Sequence, residues 1–409
     1  STFGADIARI PLPWAVTLRN LVVMSHDATR TSDITVTLLK NGAASALAAT
    51  LPLASDGPIQ TTGIDVVYAS LDDCSYRAVG SAGGFPGYIL GWSVDASNAG
   101  NVYGVSAWSG STAVDEGGIA GALGNGFFSL YQRLLPYSKS TTYSICATPG
   151  NLTALALKTF GPAPAVGSSW IGYYILNGVV QDGSGGTVDT RCTITAGNTS
   201  ALATGFVLPC VKGDDVEVAV YRTGTAAAFA LANVAVGVGF VPTTDGYFML
   251  TGGSNNVIAL PTGYAWVTNA QLETVEALAQ APIGTTGLVA RGLYIERLAP
   301  GAGSSYVQTV RRSSTSTVVV VTLVDAATSG LIANQFEAYV NGDTIDLLSF
   351  GINSPNPASK LYWGLEATVA GAGPPATGTI IVEKDAGGDT TTPFSFTASG
   401  GLSPGSFSL

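Results

Sequence analysis

Three stretches of this chain share one plan: Leu71-Asp72-Asp73-Cys74-Ser75-Tyr76, Gly213-Asp214-Asp215-Val216-Glu217-Val218 and Gly342-Asp343-Thr344-Ile345-Asp346-Leu347. Each is a polar turn running into an alternating strand, and the plan returns about every 130 to 140 residues. Alternation has the period of a half-buried strand, so the recurrence predicts one β-module used three times. The expected fold class is all-β, with three related tandem β-sandwich modules of jelly-roll or Ig-like type.

The flanking sequence supports the same division. In the first module Ile34-Thr35-Val36-Thr37-Leu38-Leu39 leads into Lys40-Asn41-Gly42, and in the second Trp170 to Leu176 leads into Asn177-Gly178. Alternation ending in Asn-Gly is the strongest short-range hairpin signal in a sequence. The third module carries Arg312-Ser313-Ser314 instead, so its hairpin tip has changed. The boundaries follow as 1–100, 151–242 and 286–370 for the modules, with insertions at 101–150 and 243–285. These insertions are expected to add strands to a sheet or to reach a neighbour. Ala270 to Gln280 reads as a helix or, almost equally, a strand. A Gly/Pro-rich linker begins at Gly371 and opens a last segment, 371–409.

Composition excludes several function classes. The formal net charge is −10, and the only local basic cluster is Arg311-Arg312, so no nucleic acid is expected as partner. The longest β-branched run, Val318 to Val321, is far below the roughly 18 apolar residues of a membrane helix, and no membrane insertion is expected. The start, Ser1-Thr2-Phe3-Gly4-Ala5-Asp6, lacks the basic and apolar regions of a signal peptide, so either a leader is gone or export uses none. Charged residues are only 11%, which suits surfaces that meet neighbours, because charge is depleted at the centres of packed interfaces.

Candidate chemistry is sparse. His26 is the single histidine, flanked by Ser25 and Asp27, and sequential neighbours in a bend do not make a nucleophile and base. No catalytic residue, cofactor or metal site is expected, and the chain reads as no enzyme. Asp72-Asp73, Asp214-Asp215 and Asp343 with Asp346 could bind calcium, but the ring of oxygen ligands is not visible, and solvated turn residues are the favoured reading. Pairs such as Asp115-Glu116 or Glu273 with Glu276 carry no weight as glycosidase acids. Cys192 and Cys210 fall in one module and could face each other as a disulfide, against the alternative of small buried thiols. Trp92, Trp108, Trp170, Trp266 and Trp363 are the aromatics that could stack on sugars, against cores or subunit contacts for most of them.

Two resemblances rest on these residues. The order of apolar strand, Ala/Pro/Gly bend, alternating strand, Asn-Gly turn and Gly-Asp-x-Val-x-Val resembles the β-sandwich modules of tail, fibre and decoration proteins of tailed bacteriophages. Gly378-Thr379-Ile380-Ile381-Val382-Glu383-Lys384-Asp385, with Phe394-Ser395-Phe396 and Gly405-Ser406-Phe407-Ser408-Leu409, resembles the opening of prealbumin-like surface domains. The first resemblance implies a structural virion protein that decorates or cements a capsid or forms a fibre, placed on the virion surface outside the cell. It also implies a homo-oligomer, trimers favoured, with other virion proteins such as the major capsid protein as partners, and it allows host-surface glycans as a further partner. The second implies that the chain continues into an outer domain, with the C-terminal end displayed outward. The alternative is a bacterial cell-surface or secreted adhesin that binds glycans through exposed aromatics.

Overall fold

The computed structural model describes residues 10–25, 32–53, 55–80, 90–98, 101–110, 125–129, 134–135, 144–159, 162–224, 234–244, 246–254, 262–265, 272–273, 276, 279–284, 287–297, 300–353, 361–369, 395–397 and 406–408. Their regular structure is antiparallel β throughout, apart from a short 3-10 turn at Ser184–Gly186. The chain divides into two compact units, Ser1–Ala370 and Gly371–Leu409. In the second unit Ser395–Thr397 pairs with Ser406–Ser408.

Within the first unit each module is a pair of facing sheets. One sheet holds the strand that follows the Asp turn. In module one its order is Ile10–Pro11, Asp73–Gly80, Ile34–Lys40 and Ala43–Leu51. In module two Asp215–Thr223 lies beside Ser169–Leu176, and in module three Thr344–Ile352 lies beside Ser305–Arg312. The other sheet centres on the first long strand of each module paired with the last: Val16–Ser25 with Leu90–Asn98, Gly150–Thr159 with Val234–Pro242, and Leu288–Arg297 with Leu361–Val369. All three first strands carry a register shift, at Arg19/Val22, Leu152/Ala154 and Ala290/Gly292. A bulge of this kind sharpens the local twist, which lets two short sheets wrap one core.

The alternating residues of both sheets fill those cores. In module one Leu18, Leu21 and Val23 meet Ile34, Val36, Leu38, Leu47, Ala49 and Leu51. In module two Leu152, Leu155 and Leu157 meet Trp170, Tyr174, Val216, Val218 and Val220. A side chain period of two puts these residues on one face and sends their neighbours to the other, so the pattern itself fixes the register.

The insertions are shared between modules. From 101–150, Asn101–Gly110 extends module one beside Leu90–Asn98, whereas Asn125–Ser129 joins module two beside Asp215–Thr223. From 243–285, Tyr247–Ser254 and Thr262–Ala265 both join module three. Leu272–Glu273 is a strand paired with Thr262–Ala265, so the helical alternative for this stretch does not hold there.

Candidate functional site

The recurring Asp turn is a hydrogen-bonded clamp built three times. Backbone positions Leu71, Gly213 and Gly342 all take positive φ, at 68°, 93° and 92°. The next residue is the clamp aspartate. Asp72 accepts from the backbone N–H of Ala69 at 2.7 Å, Asp214 from Val211 at 2.7 Å and Asp343 from Val340 at 2.8 Å. The other carboxylate oxygen reaches the hairpin tip: the Asn41 amide donates to Asp72 at 2.5 Å and the Asn177 amide to Asp214 at 2.8 Å. The same asparagines accept through their Oδ1 from the backbone N–H of Asp73 and Asp215, each at 2.9 Å. In module three Ser313 replaces asparagine, and its hydroxyl bonds Asp343 at 3.3 Å and accepts from Thr344 N–H at 3.2 Å.

This explains why the hairpin ends in Asn-Gly. Asn41, Asn177 and Ser313 sit at φ 51°, 49° and 45°, followed by Gly42, Gly178 and Ser314 at 77°, 74° and 67°. Both central residues need the left-handed region in this turn, where asparagine and glycine are least penalised. The changed tip of module three keeps the same backbone path with serines.

The clamp positions the next three residues, and here the solvated-turn reading is corrected. Asp72, Asp214 and Asp343 serve as turn formers, but Asp73 is 1% exposed and Asp346 is fully buried. Lys158, on the first strand of module two, reaches into the clamp of module one: its Nζ lies 2.6 Å from Asp73 Oδ2 and donates to Leu71 O at 3.2 Å. Asp346 lies beside Glu276, whose carboxylate takes a two-pronged bond from Arg311 at 2.7 and 3.0 Å. Burial first, and then the Glu276 charge, raise the Asp346 carboxyl to about 8, against the opposing pull of Arg311 and a hydrogen bond from Gln280.

The junctions between modules use the same elements in cyclic order. Ile10–Pro11 of module one packs on Val234–Pro242 of module two, Ser144–Ile145 of module two on Leu361–Val369 of module three, and Ala281–Pro282 of module three on Leu90–Asn98 of module one. In each case the packing segment is the short strand that pairs with the clamp strand of its own module: Ile10 with Cys74, Ile145 with Asp215, Ala281 with Ile345. Close approach is allowed by glycine. A methyl group on Gly237 would overlap the carbonyl oxygen of Pro11, one on Gly239 would meet the Trp14 ring at 2.5 Å, and one on Gly364 would lie 2.8 Å from Ile145 O. By register Ser93 holds the third place, opposite Val22 as Gly237 is opposite Ala156 and Gly364 is opposite Tyr294. Polar bonds add to these contacts: Lys212 with Glu366 between modules two and three, and Asn341 with Gln60 at 2.9 Å between three and one.

The remaining predicted residues are placed as follows. Cys192 and Cys210 are free thiols, so the disulfide is not formed; both are buried in the core of module two. Cys210 precedes its clamp aspartate by four residues, where modules one and three have Tyr68 and Tyr339, each fully buried. Those tyrosines bond the hairpin strand at Leu39 O and Arg311 O, at 3.3 and 3.1 Å. The smaller Cys210 instead shares a hydrogen bond with Cys146, which together with burial pushes the Cys146 thiol far up. Burial raises Cys192 to about 11, so neither it nor Cys146 is a ready nucleophile at neutral pH. Trp170 and Trp363 are 3% and 1% exposed and lie in cores, which removes them from sugar stacking. Trp92 and Trp108 are opposite positions in the backbone register of the strand pair Leu90–Asn98 and Asn101–Gly110. Trp266, His26, Asp27, Asp115 and Glu116 lie outside the described residues. Sequence reasoning missed Lys158, Pro11, Trp14 and the bonding role of Asn41 and Asn177. The one available signal was a lysine closing the apolar run Leu155-Ala156-Leu157 in a chain with only 17 lysines and arginines.

Among the described residues no group of three or more His, Cys, Asp or Glu is placed to hold a metal ion. No family model matches the chain, and no curated protein matches it. A solved structure of PNGF-II aligns with 87% of this chain and 98% of its own at 8% identity and a TM-score of 0.19, a likeness too small to bear on fold or activity.

Proposed function

We propose that this chain is a structural protein of a tailed-bacteriophage particle, one that decorates or cements the capsid or forms part of a fibre. The observation that supports the reading is the cyclic order of three equivalent sandwiches, joined by junctions that reuse one set of elements. A chain built this way offers three related surfaces around one centre. Such a surface fits a threefold position in a shell or fibre, because repeated contacts require matching symmetry on both partners. The partners on this reading are other virion proteins, the major capsid protein first. The segment from Gly371 onward is the part displayed outward, away from the particle.

Copy number separates two forms of the proposal. One copy for each threefold position means that the three modules stand in for three subunits. Three copies means a homotrimer, as the resemblance to fibre and decoration proteins implies. The adhesin alternative is weakened, because two of the five candidate sugar-stacking tryptophans, Trp170 and Trp363, are core residues. Mass spectrometry of purified particles, with the chain quantified against the capsid subunit, tests the proposal. Stoichiometric recovery with the shell or a fixed small number at the tail is expected, and absence from every particle fraction would overturn it.

A further inference from the structure

The three module junctions share a geometry but not a charge pattern. At the first, a lysine of the incoming strand meets an aspartate: Lys158 on Asp73. At the second, the equivalent residues are Glu296 and Asp215. The equivalence follows from register, since Lys158 is opposite Ala235 and Glu296 opposite Tyr362, one step before the strand ends in both modules. Asp73 and Asp215 each follow the clamp aspartate and donate their backbone N–H to the Oδ1 of the hairpin asparagine. The third junction carries Met24 in the lysine position and Thr344 in the aspartate position.

Contact at the second junction is close. A methyl group on Gly213 would lie 3.0 Å from the Tyr294 ring, so the first strand of module three lies directly on the turn of module two. The Asp215 Oδ1 atom is shut off from solvent and accepts no hydrogen bond. The charged groups around it are Glu296 from module three, Asp214 on its own turn and Glu217 on its own strand. The hairpin contributes the neutral Asn177, the strand Ser144–Ile145 brings no charge, and the nearby Lys212 is committed to Glu366. A cation fills this place in the first junction; a second acid fills it here.

We propose that the junction between modules two and three is proton-sensitive, tightening when Asp215 is neutral and loosening when Asp215 is ionised beside Glu296. Burial, and after it the Glu296, Asp214 and Glu217 charges, raise the Asp215 carboxyl to about 7. An ordinary aspartate titrates near 3.9. The folded junction therefore binds a proton that the opened one releases, its stabilisation is complete below about pH 4, and it is lost as pH rises through about 7. The first junction holds the Lys158–Asp73 ion pair in the equivalent place. A particle protein with this device would be held as one body in mild acid and freed at one seam in alkali.

Hydrogen exchange on the full chain, corrected for the intrinsic effect of pH, tests this. Amides of 213–217 and 292–296 are expected to lose protection between pH 6 and pH 8, by about tenfold in all, the loss levelling off above the Asp215 titration near pH 7. Amides of 71–75 and 155–158 at the first junction serve as the internal control and should not change. Asp215→Asn should abolish the change, and Glu296→Lys should raise protection at pH 8; Glu296→Gln, which leaves the burial of Asp215 in place, should reduce the change and move it to lower pH, and it serves if the Asn variant does not fold. Equal protection at both pH values in the natural chain would overturn the proposal. So would a pH response that survives undiminished in both neutral variants, or recovery of protection at pH 8 on adding calcium chloride, which would make the pair a cation site instead.

Discussion

The Nζ of Lys158 lies 2.6 Å from Oδ2 of Asp73, joining residues 85 positions apart and two separate sandwiches. Both side chains are mostly out of water, at 19% and 1% exposure. A pair this enclosed gains little over well-packed apolar groups, but loses much when only one partner is removed. Lys158→Met should therefore destabilise the chain by about 3 kcal/mol in urea denaturation. The double variant with Asp73→Asn should recover most of that loss. A double variant no better than the single one would mean that Asp73 has other support.

The hairpin tips give a graded test of the clamp. Asn177→Ala removes the amide bond to Asp214 and the acceptor for Asp215 N–H, and it puts alanine at φ 49°. The combined cost is about 2 to 3 kcal/mol. Ser313→Asn should act the other way, because module three has a shorter side chain at the same left-handed position. A gain of about 1 kcal/mol is expected, measured by the same denaturation. Loss of stability in that variant would show that Arg312, which bonds Asp343 at 2.8 Å, already completes the third clamp.

Gly237→Ala and Gly364→Ala probe the close approach of modules. The first places a methyl group against the Pro11 carbonyl, the second against the Ile145 carbonyl at 2.8 Å. Backbone oxygen cannot step aside as a flexible side chain can, so the junction must open. Limited proteolysis should cut the Gly237 variant faster between modules one and two than the natural chain, with a smaller effect for Gly364. An unchanged digestion pattern in both would show that the junctions tolerate a wider spacing.

Asp346 sets a second pH dependence, within module three. Its carboxyl is raised to about 8 by burial and by Glu276, so the folded state holds a proton that the unfolded state releases above about pH 4. Stabilisation from this proton is present in acid and disappears as pH rises through about 8. Asp346→Asn should flatten the fall of melting temperature between pH 6 and pH 9 and raise it at the alkaline end. A melting temperature that still falls as steeply in the variant would assign the dependence elsewhere.

The cysteines make a simpler case. With Cys146, Cys192 and Cys210 buried and free, a thiol reagent should modify these three in the folded chain only after opening. Reductant should leave the melting temperature unchanged. A drop on reduction would indicate a disulfide in solution.

Much of the local architecture was legible because its causes are local. Alternation in Ile34 to Leu39 and in Val216 to Val220 marks strands through a period that any half-buried strand must have. Asn41-Gly42 and Asn177-Gly178 mark hairpins because few residues tolerate φ > 0 twice running. The Ser313-Ser314 tip shows the limit of that signal: tertiary bonds to Asp343 and Thr344 hold a path that the residues alone do not favour. Trp170 and Trp363 show a different limit, since strand alternation does not say which face is the core when both faces meet protein.

The sequence by itself determined an all-β chain in which one Asp-turn-strand plan is used three times, because turn sterics and side-chain alternation act between near neighbours. The tertiary structure alone decided that Lys158 enters the clamp of another module, that the Glu296 charge acts on Asp215 at the next junction, and that Tyr247–Ser254 joins module three. Each depends on the spatial meeting of residues tens of positions apart. No local pattern encodes that meeting; burial and charge pairing select it once the sandwiches are formed.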